Sequence, residues 1–185
     1  MVGAAPPLYP PAVRSRLRRR VAVVAAVAFA LGVAAYAWLR PASIECEPRR
    51  GASVFVSTDR HTLALCEDGR AVARYRVRLG RRGVGKEREG DGKTPLGTYP
   101  LGAARPSAAY GLFAPIGYPT PEQAARGLTG SAVGIHGPGR SARAFGPLVN
   151  LADTTDGCVG LATDREMAEV ADFVRARHAA VVVVR

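Results

Sequence analysis

A cysteine and a histidine 22 positions apart carry the side chains that nucleophilic catalysis requires. His136 stands in the segment Ile135-His136-Gly137, and Cys158 ends the segment Thr155-Asp156-Gly157-Cys158. A thiol becomes a nucleophile when an imidazole accepts its proton, and the two groups need to be neighbours only in space. Gly157 would let the backbone approach a substrate closely. Without further support, such a pair is more often a buried thiol and a core imidazole.

Several segments of alternating or apolar residues would position this pair. The ranges 52–58, 61–66 and 71–79 are predicted as strands, and the charged and glycine-containing turns between them indicate a β-meander. Residues 80–94 form a glycine-rich polar loop, which we expect at the surface near the site. A short strand at 96–101 follows Pro95.

The second half of the chain is predicted to contain two more strands and a helix. Residues 132–136 form a strand candidate, and the apolar run 179–184 is typical of a buried strand. Thr163 and Glu166 form a capping box that begins the only convincing helix after the first 40 residues. The sequence therefore predicts a mainly β domain of the α+β class with one C-terminal helix.

The N-terminal region has the pattern of a membrane-targeting segment. Residues 21–39 are apolar and follow a cluster of arginines, so we expect a basic cytoplasmic tail at 1–20 and a transmembrane anchor or signal sequence at 21–39. Ala35-Tyr36-Ala37 has the form of a cleavage site, although the length of the apolar run favours an uncleaved anchor. A linker at 40–50 and an exported catalytic domain at 51–185 complete the predicted organisation.

Composition excludes several other functions. The 185 residues carry a formal charge of +11, but six of the basic residues lie in the first 40, where no acidic residue offsets them, so we expect no nucleic-acid partner. The loop 80–94 lacks a complete phosphate-binding pattern. No CxxC pair is present, and neither a metal nor a cofactor is expected. In an exported domain Cys46 and Cys66 either form a disulfide, which we favour, or remain free thiols.

Three motifs, in this order, resemble the L,D-transpeptidase (YkuD-type) catalytic domain of bacterial cell-wall enzymes. They are Gly-Asp-Gly-Lys-Thr-Pro-Leu-Gly-Thr-Tyr at 90–99, His136-Gly137, and Thr155-Asp156-Gly157-Cys158. The resemblance covers nearly all of residues 51–185. The chain further resembles one branch of the family, which has the motif T-D-G-C-[VI]-x-L. Gly160 departs from the family, because many members carry arginine there. The resemblance implies a β-sandwich with one C-terminal helix, preceded here by the transmembrane helix.

The resemblance also implies a function in the cell envelope. Cys158 would form a thioester with a peptidoglycan stem peptide, in the periplasm or another extracytoplasmic space, during cell-wall biogenesis and remodelling. His136 would act as its base, and the backbone amides of Gly157 and Cys158 would stabilise the oxyanion. Two alternatives remain open: an L,D-carboxypeptidase or amidase that uses water in the same site, and a non-catalytic wall-binding module. The oligomeric state is left open.

Further residues are candidates for binding the substrate or supporting the pair. Those assigned to the substrate are Gly137, Thr155, Arg140 and Tyr118, with Tyr110, Phe113 and Arg143 as weaker candidates. Asp153 and Asp156 are candidates for orienting the imidazole, although a solvated turn is the alternative for both. His61 and His178 are interpreted as structural or surface residues.

Overall fold

The computed structural model describes residues 11–47 and 50–185, which fall into two units that divide after Leu39. The first unit contains helix α1, Pro11–Leu39. Its part from Arg18 to Leu39 has a mean hydropathy of 2.2 and is long and apolar enough to cross a membrane. Both an anchor and a signal sequence contain such a helix. The first ten residues of the predicted cytoplasmic tail lie outside the described residues.

The second unit begins at Arg40 and contains two β-sheets. The first sheet has the strand order β3-β2-β1-β9-β4, and the second has the order β5-β6-β7-β8. The strands are β1 Ala52–Ser57, β2 Thr62–Glu67, β3 Arg70–Arg76, β4 Gly97–Pro100, β5 Arg105–Ser107, β6 Gly111–Pro115, β7 Gly134–His136, β8 Val159–Gly160 and β9 Val181–Val184. Side chains from both sheets form one buried core.

The predicted meander is confirmed by the first sheet. β1 pairs with β2 and β2 with β3, both antiparallel, and β9 adds to the other side of β1 in parallel. Val54, Val56, Val182 and Val184 are all fully buried, as expected for adjacent central strands that face a core. The apolar run at the C-terminus therefore forms a central strand, between β1 and β4.

The second sheet was predicted only in part. The strand expected at 132–136 is limited to Gly134–His136, and the sequence indicated neither β5 nor β6. β3 ends at Arg76 rather than at Leu79, because the chain leaves the first sheet there and Arg78 pairs with Gly160 beside the second. Residues 71–79, predicted as one strand, thus pair with both sheets.

Helix α3, Asp164–Arg177, has the predicted capping box. The Thr163 hydroxyl accepts the Glu166 N–H, and the Glu166 carboxylate accepts the Thr163 N–H. Met167 and Val170 are buried against the core. Two further helical segments were not predicted, namely α2, Pro121–Ala125, and a 3₁₀ segment, Arg140–Leu151.

The segment 41–47, expected as part of a linker, packs against the first sheet. Ile44 and Cys46 are buried against Ala64 and Cys66. Cys46 and Cys66 form a disulfide with a Cα–Cα distance of 5.9 Å. This bond attaches the segment to β2, which pairs with β1 in the first sheet.

Candidate active site

The register of β7 and β8 brings His136 and Cys158 to one face of the second sheet. These strands are parallel, and His136 lies opposite Gly160. Residues directly opposite each other on adjacent strands point to the same face of a sheet. Residues two positions apart along one extended chain also share a face. Cys158 is two residues before Gly160, so its side chain shares the face of His136. Both residues line the same groove.

The imidazole of His136 is buried and held in one orientation. Its Nδ1 lies 2.6 Å from the carbonyl oxygen of Gly137. A carbonyl oxygen only accepts hydrogen bonds, so Nδ1 carries the proton and Nε2 of the neutral ring is left as an acceptor. Tyr110 stacks on the imidazole with a centroid distance of 3.8 Å. His136 therefore has the tautomer that a general base acting through Nε2 requires.

The thiol of Cys158 is free and partly buried. Its Sγ lies 3.5 Å from the carbonyl oxygen of Ala132, to which it donates. Burial raises the pKa of this thiol, while burial and the nearby charge of Arg78 lower the pKa of His136 to about 4 against its hydrogen bond to Gly137. At neutral pH the resting pair is a neutral thiol and a neutral imidazole.

A tight turn presents Cys158 to the groove. The Thr155 hydroxyl donates to the Cys158 carbonyl oxygen at 2.7 Å and accepts the Gly157 N–H at 3.2 Å. Gly157 has φ +122°, and a Cβ there would lie 2.5 Å from the carbonyl oxygen of Lys93. Glycine is therefore required for conformation and for space. The Gly157 N–H, predicted as an oxyanion donor, is instead engaged by Thr155, so Thr155 shapes the turn.

The groove around the pair has a volume of about 930 Å³. Tyr110 and Phe113 provide aromatic surface, and the three cationic side chains in its wall are Arg78, Arg81 and Lys86. Glu89 and Asp156 also line the groove, so its wall combines aromatic surface with three basic and two acidic side chains, and this excess of basic groups suits a peptide that carries carboxylates.

The glycine-rich loop forms an ordered wall of this groove. Asp91 accepts hydrogen bonds from the N–H groups of Glu87, Arg88 and Lys93, and it pairs with the buried Lys86 ammonium at 2.9 Å. These donors outweigh its partial burial and lower the pKa of Asp91. The loop expected near the site is thus organised around one buried ion pair.

Gly160 contacts a residue that the sequence analysis did not single out. A Cβ on Gly160 would lie 2.7 Å from Cζ of Arg78, and the two residues exchange backbone hydrogen bonds of 2.9 and 3.0 Å. Arg78 is 6% exposed and lines the groove. Gly160, where many family members carry arginine, was the only sequence signal for this contact.

The structure places several predicted substrate contacts elsewhere. Tyr118 is a core residue, 6% exposed, whose hydroxyl donates to the Lys86 carbonyl oxygen. Arg140 is exposed at the start of the 3₁₀ segment and is not in the groove wall. Gly137 is buried, and its carbonyl oxygen holds His136. Tyr118 and Gly137 therefore lie behind the groove wall and Arg140 lies outside it, and their contact with a substrate stays a prediction.

The remaining charged candidates also have other partners. Arg143 pairs with Asp164 at 2.9 Å. Asp153 accepts the Leu79 N–H and lies 3.0 Å from Nε2 of His61, and Asp156 pairs with Arg81 at 2.5 Å. The imidazole of His136 is therefore oriented by a backbone carbonyl instead of a carboxylate. His61 has a structural role, as expected.

Comparison with known proteins identifies relatives of this domain. Residues 51–184 match the YkuD family, described as the L,D-transpeptidase catalytic domain. A crystal structure of the helical cell shape determining protein Pgp2 from Campylobacter jejuni is similar with 25% identity and a TM-score of 0.62, covering 80% of this chain and 54% of that one. Bd1075 from Bdellovibrio bacteriovorus is similar in fold, with 20% identity and a TM-score of 0.55 over 74% of this chain and 48% of that one.

This chain thus spans about half the length of each of these two proteins. No curated protein matches it.

Proposed function

Because this chain belongs to the YkuD family of L,D-transpeptidase catalytic domains, we propose that it is a cysteine-dependent L,D-transpeptidase acting on peptidoglycan stem peptides. The observation that carries the proposal is the common face of His136 and Cys158, with the unprotonated Nε2 of His136 as the available base. A groove with aromatic and basic walls supports a peptide substrate.

In the first half-reaction, Cys158 acquires the acyl group. Nε2 of His136 takes the thiol proton as Sγ attacks the peptide carbonyl carbon, and a tetrahedral intermediate forms. The Cys158 N–H is the donor that we assign to its oxyanion, since the Gly157 N–H is engaged by Thr155. The carbon–nitrogen bond then breaks, the imidazolium returns its proton to the leaving amine, and a Cys158 thioester remains.

In the second half-reaction, an amine of another stem peptide accepts the acyl group. The amine attacks the thioester carbon, His136 accepts the proton that the amine releases, and the carbon–sulfur bond breaks. The departing thiolate takes that proton from the imidazolium, which restores the neutral pair. With water in place of the amine, the same steps give a carboxypeptidase or an amidase.

The cell envelope is the setting that we propose for this reaction. The arginines before the apolar part of α1 favour a cytoplasmic N-terminus, so the domain after Leu39 would be extracytoplasmic and anchored by 21–39. The likeness to Pgp2, a protein described as determining helical cell shape, supports a role in wall remodelling and cell shape.

Incubation with tetrapeptide-containing muropeptides tests the proposal. We expect cross-linked dimers by mass spectrometry with the wild-type protein and none with Cys158→Ala. Monomers shortened by one D-alanine would show that the acyl group is hydrolysed and not transferred to an amine. Unchanged muropeptides, with no adduct on Cys158, would contradict an enzymatic role and favour a wall-binding module.

A further inference from the structure

We propose that Arg78 binds a carboxylate of the donor peptide next to the scissile bond, and that Gly160 lacks a side chain because the Arg78 side chain occupies its place. This inference rests on the proposed function, since it names a specificity-determining contact in the same groove. It concerns binding of the substrate and leaves the chemistry to Cys158 and His136.

The strand register places Arg78 in a row with the catalytic pair. His136 lies opposite Gly160, and Gly160 lies opposite Arg78 on its other side. All three positions therefore point to the face that carries Cys158. With no side chain at the middle position, the Arg78 side chain extends over Gly160 toward His136. Its Cγ, Nε and Cζ all lie within 2.8 Å of where a Gly160 Cβ would be.

The guanidinium of Arg78 is charged, buried and without an anionic partner. Its Nη1 donates to the Asn150 side-chain oxygen at 3.0 Å and to the Leu161 carbonyl oxygen at 2.9 Å, both of which are neutral. Among residues 11–47 and 50–185, no carboxylate pairs with it. A buried cation without a counterion is costly, which makes this position favourable for an anion.

The other cations of the groove wall differ in this respect. Arg81 pairs with Asp156, and Lys86 pairs with Asp91. Nε and Nη2 of Arg78 make no hydrogen bond, yet no fully buried side-chain nitrogen in the described part of the chain lacks a partner. These two donors therefore keep some exposure, and because Arg78 lines the groove we infer that they face it, as a planar fork that matches the two oxygens of a carboxylate.

The position of Arg78 limits which carboxylate it binds. A peptide whose scissile carbonyl is at Cys158 places two groups beside the catalytic pair, namely the C-terminal carboxylate of the leaving residue and the side chain of the acyl residue. Either source supplies the same chemistry. The proposal predicts that one of these carboxylates is required for tight binding and that Arg78 is the residue that recognises it.

A binding experiment with the full chain in detergent, carrying Cys158→Ala to prevent turnover, separates the two sources. The probes are a D-alanine-terminated tetrapeptide, its C-terminal carboxamide, and an analogue whose third residue lacks a side-chain carboxylate. We expect one replacement to weaken Kd by about 10- to 100-fold, the range for a hydrogen bond to a charged group. Equal Kd values for all three peptides would overturn the proposal, as would the absence of measurable binding. This arm needs no change at Arg78.

Variants then assign the preference to Arg78. Arg78→Gln should bind the three peptides with equal Kd values, and Arg78→Lys should retain only part of the preference because an ammonium lacks the fork. Arg82→Gln is the matched control, since Arg82 is exposed and outside the groove wall. Thermal melting of each variant shows whether it is folded. A preference that survives in folded Arg78→Gln would contradict the proposal.

Gly160→Ala provides an independent arm. The new methyl group displaces the Arg78 side chain, so the carboxylate preference should fall, with no additional loss when Arg78→Gln is also present. Additive losses would contradict the inferred contact.

Intact-mass measurement of acylation, made separately with Cys158 in place, distinguishes this proposal from the proposed function. A preference for the carboxylate without any adduct would retain the Arg78 site and reject the enzyme. An adduct that forms at the same rate without either carboxylate and without Arg78 would retain the enzyme and reject the Arg78 site.

Discussion

At the scale of single residues, burial determines the protonation of Cys158 and His136, the proposed catalytic pair. Desolvation disfavours the charged form of each group, so it raises the pKa of Cys158 and lowers that of His136. The site therefore does not store a thiolate beside an imidazolium. It holds a neutral base with its lone pair available, and the thiol loses its proton only as it attacks.

The acid limb of the pH profile follows from this state of His136. Protonation of Nε2 removes the base, so kcat/KM for acylation should be constant over about pH 5 to 7 and fall below that, with a midpoint near the lowered pKa of about 4. Stopped acylation reactions analysed by intact mass would measure this. Tyr110→Ala uncovers the imidazole to water and should move the midpoint upward. A wild-type midpoint near 6.5 would show that the imidazole is solvated in the working enzyme.

Gly157 provides a second prediction at this scale. Gly157→Ala should destabilise the domain and slow acylation, because a Cβ would meet the Lys93 carbonyl oxygen at 2.5 Å and φ is +122°. Gly83→Ala is a matched control, since Gly83 has φ +84° but open space around its Cα. Thermal melting and acylation rates would be compared for both. Equal effects would show that backbone strain alone explains the glycine.

Candidate functional residues could be predicted where a short sequence motif marks them. Cys158 and His136 were found because their own short motifs mark them, and the structure brings both into one groove. Arg78 was missed because nothing around it in the sequence indicates that it faces Gly160, 82 residues later. The core position of Tyr118 could not be predicted for a related reason, since the sequence does not distinguish an aromatic residue in a groove from one in a core.

At the scale of elements, the segment before β1 extends the domain. Residues 41–47 bury Ile44 and Cys46 against β2, and the Arg185 side chain at the C-terminus pairs with Glu47 at 2.7 Å. None of these residues lines the groove, so we expect the segment to contribute to stability and to leave the proposed chemistry unchanged.

Removal of the disulfide tests this separation. Cys46→Ser with Cys66→Ser should lower the free energy of unfolding by about 3 kcal/mol, the value for a closed loop of about 20 residues. Acylation of Cys158 at a temperature where the variant is folded should be unchanged. Denaturant unfolding and intact mass would measure the two quantities. Non-reducing peptide mapping that pairs Cys158 with either cysteine would contradict the assignment.

Elements were predictable where periodicity or capping chemistry was strong. The meander, α3 and β9 combine alternating or apolar runs with clear ends. β5 and β6 are short and contain proline, and the 3₁₀ segment is interrupted by a kink at Gly146, so their conformation depends on contacts distant in sequence. The second sheet, which holds the candidate active site, was therefore the part that the sequence described least.

At the scale of the whole molecule, the apolar helix and the basic residues before it are the basis of the proposed location of the domain. Positive charge before a spanning helix favours a cytoplasmic N-terminus. The helix from Arg18 to Leu39 has the length and hydropathy to span the bilayer. Under the proposed function, the substrate lies only on the opposite side of the membrane.

Protease access checks this orientation. Trypsin added to intact spheroplasts should digest the domain after Leu39, and a C-terminal epitope should disappear while a cytoplasmic marker protein survives. Replacement of Arg16, Arg18, Arg19 and Arg20 by glutamate should reduce or invert this exposure. Protection of the wild-type domain until the membrane is lysed would contradict an extracytoplasmic location.

The central claim is that Cys158 is the nucleophile and His136 its base, and intact-mass analysis with a donor peptide tests it most directly. The account predicts an acyl adduct on the wild-type protein and none on Cys158→Ala. His136→Ala should form the same adduct about 10²- to 10⁴-fold more slowly, with partial rescue at high pH as thiolate forms unaided. Cys158→Ala should melt near the wild-type protein, and His136→Ala, which loses a buried ring, is compared at a temperature where thermal melting shows that it is folded. An adduct that persists on Cys158→Ala would identify a different nucleophile and contradict the account.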